Sequence, residues 1–144
     1  MPQKPIQEGL FSWPADKPVL LGSRCTCCEA TIFPAASTCM KCSSDAMQVI
    51  ELGGEGVLWS WTVQRFPPKA PYRGETDMDR FKPYGVGYIQ LPSGVKVESR
   101  LRETEASELS IGMPMRLVVE RFCSDTEGND LMGFLFESAQ ERVQ

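Results

Sequence analysis

Hydrophobic and polar positions alternate, or form short continuous apolar runs, in six segments of the chain after residue 47. The segments are rich in β-branched and aromatic residues, and both patterns are typical of β-strands. The predicted strands cover residues 48–52, 57–66, 85–91, 95–101, 115–122 and 131–138. Turn signals rich in glycine, proline or aspartate separate them at 53–56, 92–94, 111–114 and 124–130.

One segment predicts a helix, "ETEASELS" at 103–110, with Thr104 as N-cap and acidic residues in the first turn. Five or six strands with one short, late helix predict a mainly β fold, a small closed barrel of OB type. The tight "LPSG" turn predicts that the third and fourth strands are antiparallel neighbours.

The pattern divides the chain into an N-terminal extension at 1–23, a cysteine-rich module at 24–47 and the barrel domain at 48–140. A long loop at 66–84 interrupts the barrel and holds four prolines, four aromatic residues and four basic residues. Loops of this length in compact domains are usually functional or disordered, and the aromatic residues argue against plain disorder. Two interpretations stay open: a binding loop, or a cover over the open end of the barrel.

Trp59 and Trp61 stand two positions apart in a predicted strand, which predicts that both indoles lie on the same face. That face either packs in the core or forms a surface for a ligand base or a protein partner.

The net charge and the composition of the first residues limit which partners and which cell compartment we expect. The net charge of the 144 residues is -4, which disfavours nucleic acid as a partner. The first residues lack a basic segment followed by an apolar run, and no stretch approaches eighteen apolar residues, so we expect a cytoplasmic protein without membrane contact. In that compartment paired cysteines favour metal binding or redox chemistry over structural disulfides.

The chain contains no histidine. This excludes Ser-His-Asp and Cys-His catalysis and every metal site with an imidazole ligand. Catalysis would have to use carboxylates, lysine, tyrosine or cysteine, or belong to a partner.

Five of the six cysteines lie between residues 24 and 42. Two Cys-x-x-Cys pairs, Cys25 with Cys28 and Cys39 with Cys42, are separated by ten residues, a gap that suits a short hairpin. Two such pairs complete a tetrahedral four-sulfur site, for which zinc is the commonest ion and iron the alternative. Cys27 is predicted not to be a ligand, because adjacent residues do not easily turn toward one ion. With four thiolates the site is closed, which predicts one structural Zn²⁺ and not a catalytic one.

Four segments together carry a resemblance to a known family: "CTCCEATIFPAASTCMKC", "GEGVLWSWTVQRF", "PYGVGYIQLPSGVKVESRL" and "SIGMPMRLVVE". The chain resembles the acyl-CoA-associated proteins that join a rubredoxin-like zinc ribbon to an OB-fold. The resemblance implies a non-catalytic accessory subunit that docks by its ribbon on a thiolase-fold catalytic subunit. It also implies a CoA thioester bound jointly with that partner. An alternative within the family is a partner of an acyl-CoA aldolase or hydratase in steroid or aromatic degradation.

The chain departs from the family pattern at two positions. Where the family usually has glycine after the second cysteine and often proline after the third, this chain has Glu29 and Met40. A non-glycine residue in a left-handed turn costs about 1–2 kcal/mol, which is small beside the metal.

The resemblance places the barrel and the long loop near the CoA entrance. Basic residues would pair with CoA phosphates and aromatic residues would stack on adenine or line the acyl tunnel. The residues predicted to face CoA or the partner are Phe66, Lys69, Tyr72, Arg73, Arg80, Phe81, Lys82 and Tyr84. The competing interpretation is a solvated loop whose basic residues are balanced by Glu75, Asp77 and Asp79.

Three further expectations concern partner contact and the class of function. The exposed face of the ribbon, Ile32, Phe33 and Pro34, is predicted to contact the partner. A second class of function is a single-stranded nucleic-acid-binding module, since such proteins also use zinc ribbons and OB barrels. A third class, an independent enzyme with Cys27 or Cys123 as nucleophile, lacks a base.

Overall fold

A computed structural model describes residues 3–13, 16–66 and 80–139, and half of them lie in strands. The strands are β1 Gln3–Pro5, β2 Leu20–Cys25, β3 Thr31–Ile32, β4 Met47–Gly53, β5 Glu55–Gln64, β6 Tyr84–Gln90, β7 Lys96–Leu101, β8 Pro114–Ser124 and β9 Asp130–Ser138. A single 3-10 turn, Ala106–Glu108, lies between β7 and β8. No helix in these residues is long and apolar enough to span a membrane.

Five strands close into a barrel in the order β5-β6-β7-β9-β8, and β8 returns to pair with β5. All neighbours are antiparallel except β7 and β9, which are parallel and pair at Leu101 and Phe136. This is the strand order of the OB-fold, and the predicted fold class is confirmed. The LPSG hairpin joins β6 to β7 as antiparallel neighbours, as predicted.

A second sheet of three strands, in the order β3-β2-β4, forms the ribbon. Buried Ser23 in the middle strand fastens the loop after β3, because its hydroxyl accepts the Ala36 N–H at 2.8 Å and donates to the Ala36 carbonyl at 3.1 Å. The strand at 47–53 belongs to this ribbon sheet, although its pattern resembles that of the barrel strands.

The N-terminal extension contains two strands that the hydrophobic pattern did not predict. β1 pairs in parallel with the first residues of β9, ahead of the point where β9 meets β7, and Ile6 N–H donates to the Met132 carbonyl at 2.8 Å. β2 carries Leu20, which has no exposed surface, into the core. β1 is three residues long and ends in proline, so it carries no periodic signal of its own.

An aromatic cluster joins the ribbon to the barrel. Phe33, directly after β3, meets Phe134 of β9 edge to face at 5.9 Å, and Phe11 meets Phe134 at 6.5 Å. Phe33 is half-buried by this packing. Phe33 and Ile32 are therefore not fully exposed as expected, while Pro34 beside them is; contact of these residues with a partner stays a prediction.

A β-bulge separates the two tryptophans. The pairing of β5 with β6 shifts between Leu58 and Ser60, so that the alternation of faces is broken at Trp59. Trp59 is 49% exposed, whereas Trp61 packs against the core. The prediction of a shared face is wrong, because the inserted residue reverses the facing of the strand residues after it.

The predicted helix at 103–110 shortens to one turn. Glu103 is buried, and its Oε1 accepts the backbone N–H of Ser138 at 2.6 Å, which ties the segment to the end of β9. Glu105, not Thr104, precedes the turn and makes no side-chain cap. The turn ends at Leu109, whose backbone is extended, and Leu109 and Met113 then enter the core.

Gly87 of β6 lies where the barrel wall is too close for a side chain. A Cβ there would be 2.7 Å from the Ser60 carbonyl oxygen and 2.9 Å from Leu58 Cδ1. We predict that Gly87→Ala lowers the free energy of unfolding by about 1–3 kcal/mol, because backbone and core must shift. Gly133→Ala is the matched control: its Cβ would meet only Phe122 Cβ, at 3.5 Å.

The control variant should change stability by less than about 1 kcal/mol. Thermal unfolding of both variants at one fixed zinc concentration measures the difference. Equal losses in the two variants would contradict the close approach at Gly87.

Candidate metal centre

Two turns of the same construction hold the cysteine pairs. In the first, Glu29 N–H donates to the Cys25 carbonyl and Cys25 N–H donates to the Ala30 carbonyl, both at 2.9 Å. In the second, Ser43 N–H donates to the Cys39 carbonyl at 2.9 Å and Cys39 N–H to the Ser44 carbonyl at 2.7 Å. The backbone thus forms two matching knuckles at the end of the ribbon sheet.

The structure brings together the four cysteines that the spacing predicted as ligands. The sulfurs of Cys25, Cys28, Cys39 and Cys42 all lie within 4.8 Å of one another. Two pairs are closer: Cys25 Sγ is 3.6 Å from Cys42 Sγ, and Cys28 Sγ is 3.6 Å from Cys39 Sγ. A tetrahedral zinc with bonds of about 2.3 Å requires sulfurs about 3.8 Å apart. Four soft sulfur donors at this spacing fit structural zinc and leave no position for substrate.

Backbone amides favour the thiolate form of the first cysteine in each knuckle. The N–H groups of Cys28 and, more weakly, Cys27 lower the pKa of Cys25 to about 6, against the opposing effect of burial. The N–H groups of Cys42 and Lys41 likewise lower the pKa of Cys39. Metal binding needs deprotonated thiols, and these oriented amides supply part of that stabilisation.

The second cysteine of each knuckle behaves in the opposite way. The Ser44 amide acts to lower the pKa of Cys42, but the neighbouring sulfurs of Cys25 and Cys28 and burial raise it to about 12. For Cys28 the Ala30 amide is likewise outweighed by burial and by Cys39, and its pKa is raised. A cation is what allows all four sulfurs to be thiolates together.

Each knuckle ends in a left-handed residue that is not glycine. Glu29 follows Cys28 with φ of 66°, and Ser43 follows Cys42 with φ of 64°. Glu29 is identified from the sequence as a non-glycine residue in a left-handed turn, but Ser43 is not. The equal spacing of the two cysteine pairs places Ser43 at the position equivalent to Glu29, and this signal was available in the sequence.

The remaining cysteines lie apart from the four-sulfur site. Cys27 is exposed beside the first knuckle, and Cys123 is half-buried in β8 of the barrel. Neither belongs to the cluster of four sulfurs.

The residues predicted to face CoA are only partly within the described structure. Lys69, Tyr72 and Arg73 lie outside the described residues. Phe66, Arg80 and Lys82 are exposed at the two ends of the loop. Phe81 packs edge to face on Tyr84 at 5.9 Å, and both rings are half-buried at the start of β6.

The fold and the sulfur site define the class of this protein as a zinc ribbon followed by an OB-fold barrel. The ChsH2 rubredoxin-like zinc ribbon domain matches residues 12–48, and the ChsH2 C-terminal OB-fold domain matches residues 49–120. The chain belongs to this ChsH2 family of zinc-ribbon and OB-fold proteins, and the predicted family resemblance is confirmed.

Similar proteins include subunits and scaffolds of larger assemblies. The chain is 30% identical over 112 residues, 72% of each chain, to the benzoylsuccinyl-CoA thiolase subunit BbsA of Thauera aromatica. It is 28% identical over 118 residues, 81% of each chain, to a DUF35 domain-containing scaffold protein of Pyrococcus furiosus. A chain of the solved Ltp2-ChsH2(DUF35) aldolase superposes with a TM-score of 0.63 at 25% identity, covering 85% of this chain and 86% of that one.

The ligand assignment predicts different effects for neighbouring cysteines. Cys42→Ser should lose the zinc and unfold the ribbon, since structural zinc contributes on the order of 10 kcal/mol to folding such modules. The control Cys27→Ser should retain about one zinc per chain, because Cys27 lies outside the site. Metal content of the purified proteins measures both effects, and equal zinc loss in the two variants would overturn the assignment.

The left-handed turn at Ser43 predicts a stabilising substitution. Ser43→Gly should raise the free energy of unfolding by about 1 kcal/mol, because glycine adopts positive φ without steric strain. Ser43→Ala, which removes the hydroxyl but keeps Cβ, should bring no such gain. The midpoints of thermal unfolding, compared at one zinc concentration, test this. A gain of the same size in the alanine variant would assign the effect to the hydroxyl instead of the backbone.

Proposed function

We propose that this protein is a non-catalytic, zinc-binding accessory subunit of a thiolase-type acyl-CoA enzyme, acting in thiolytic cleavage or acyl transfer on a β-ketoacyl-CoA. It docks on the catalytic subunit and shapes the channel for CoA and the acyl group. The observation that carries the proposal is the similarity to the thiolase subunit BbsA over most of both chains.

The chemistry of the chain supports a role without catalysis. The four-sulfur site is closed, and the chain has no histidine to serve as a base. In the described structure neither Cys27 nor Cys123 hydrogen-bonds to a side chain that could activate a nucleophile. The nucleophile and the acid-base groups therefore belong to the partner subunit.

The loop and the first residues of β6 are the proposed CoA-facing surface. Arg80 and Lys82 are exposed and can reach phosphate oxygens, while Phe66 is 65% exposed at the other end of the loop. The Phe81 and Tyr84 pair offers an apolar wall for adenine or an acyl chain. Lys69, Tyr72 and Arg73, from the same loop, belong to this proposal.

A second candidate is an accessory subunit of an acyl-CoA aldolase or hydratase. The structural match to a chain of an aldolase assembly favours the aldolase form of this alternative. In both candidate functions the protein forms a hetero-oligomer with a catalytic partner. In both it also lies in the cytoplasm, where its thiols remain reduced. Nucleic-acid binding is not proposed, because the net charge of -4 opposes it.

Reconstitution tests the proposal. The tagged full-length chain, purified from its native cell, should carry a thiolase-fold protein identified by mass spectrometry. Thiolysis of a β-ketoacyl-CoA, followed by loss of the substrate absorbance, should require both proteins. Recovery of an aldolase or hydratase instead would select the second candidate. Turnover by this chain alone would contradict an accessory role.

A matched pair of variants tests the proposed CoA-facing surface in the same assay. Lys82→Glu reverses a charge on the proposed CoA-facing surface and should raise KM for the acyl-CoA while the complex still assembles. Lys17→Glu makes the same charge reversal at an exposed position of the N-terminal extension, away from the loop and the knuckles, and serves as the control for CoA binding. An unchanged KM in Lys82→Glu would remove this residue from the CoA surface.

A further inference from the structure

We propose that a cavity beside Arg100 binds a carboxylate attached to an apolar body. The cavity has a volume of about 530 Å³ and lies where β7 and β9 separate, below their pairing at Leu101 and Phe136. Strands β6 and β8 extend its walls, and the N-terminal segment lines one side with Ile6 and Leu10. Its volume is within the range of small-molecule sites.

Arg100 supplies the binding group. Its guanidinium carbon lies 4.3 Å from the centre of the Tyr84 ring and 5.6 Å from that of Phe122. Stacking uses the face of the guanidinium and leaves the N–H donors at its edge directed elsewhere. Arg100 is half-buried, and its guanidinium forms no ion pair or hydrogen bond with any residue in 3–13, 16–66 or 80–139; Ser99 Oγ donates only to its backbone carbonyl. The donors are thus oriented and available to a ligand.

The other charges at the cavity are mostly neutralised by the protein. Glu120 accepts a hydrogen bond from Arg102 at 2.7 Å. Arg121 pairs with Asp130 at 3.1 Å and donates to Ser124 Oγ at 2.8 Å. Arg100 is therefore the cation at this cavity that the described structure leaves without a carboxylate.

The nearby acidic residues indicate which anion fits. Glu98, two residues before Arg100 on the same face of β7, also lines the cavity, as does Glu120. The negative charge of Glu98 repels a phosphate dianion more than a singly charged group. A planar carboxylate matches the guanidinium with two parallel hydrogen bonds. Val86, Phe134 and Leu135 form an apolar wall for the rest of the ligand.

Titration of the zinc-loaded full-length chain with 4-phenylbutyrate tests the site. We expect one molecule bound per chain, with amide signals of Val86 and Arg100 shifting in NMR spectra. The neutral analogue 4-phenylbutyramide should bind at least about tenfold more weakly, because it lacks the charged hydrogen bonds. Inorganic phosphate should not compete at equal concentration. Equal binding of acid and amide, competition by phosphate or no binding at all would overturn the proposal.

Variants assign the effect to Arg100. Arg100→Gln should weaken binding of 4-phenylbutyrate about tenfold or more and remove the preference for the acid over the amide. Arg116→Gln, which changes an exposed arginine of β8 paired with Glu137 outside the cavity, is the control and should leave binding unchanged. Unfolding temperature and zinc content establish that both variants are folded. Equal weakening in both, or none in Arg100→Gln, would exclude the site.

The test is independent of the partner enzyme, because it measures binding to the isolated chain. Tyr84 takes part in both the proposed CoA-facing surface and this cavity. A failure of thiolase reconstitution would leave the carboxylate site standing, and a failure of 4-phenylbutyrate binding would leave the accessory role standing.

Discussion

Four sulfur atoms within 4.8 Å of one another repel as thiolates and are stable together only when they share a cation. The ribbon depends on this constraint, because its strands β3, β2 and β4 are short and the two knuckles have few apolar side chains to bury. Backbone amides lower the pKa of Cys25 and Cys39 and so favour their thiolates. The pKa of Cys28 and Cys42 is raised, so these two thiolates depend on a bound cation. Glu29 and Ser43 adopt strained left-handed conformations. The energy cost of this strain is smaller than the stabilisation that metal binding supplies.

Strand β2 connects the four-sulfur site of the ribbon to the core of the barrel. This strand starts at Leu20, which is fully buried in the core, and ends at Cys25, a ligand. Phe33 and Phe134 make the second connection, edge to face. Because both connections join ribbon and barrel, the orientation of the ribbon is set by packing as well as by chain connectivity. The proposed role, in which the ribbon docks on the partner and the barrel contacts the substrate, needs such a fixed relation.

The barrel is closed but not uniform around its circumference. β7 and β9 meet at one pairing, and below it the wall opens into the cavity that contains Arg100. The same side carries Tyr84, at the end of the long loop, and farther along the outer surface Lys96 lies 4.0 Å over the Trp59 ring. Aromatic and cationic groups thus lie together on the outer face of β5, β6 and β7.

Local patterns along the chain were enough to identify the two Cys-x-x-Cys pairs, the exclusion of Cys27 and the six strands, since spacing and alternation involve only near neighbours in sequence. Contacts between distant segments decided the features that these patterns left open or predicted wrongly. The bulge in β5 placed Trp59 and Trp61 on different faces. The hydrogen bond from Ser138 N–H to Glu103 holds the predicted helical segment against the end of β9. Packing against Phe134 leaves Phe33 half-buried. The cavity at Arg100 exists because β7 and β9, which are far apart in the chain, diverge after a single pairing.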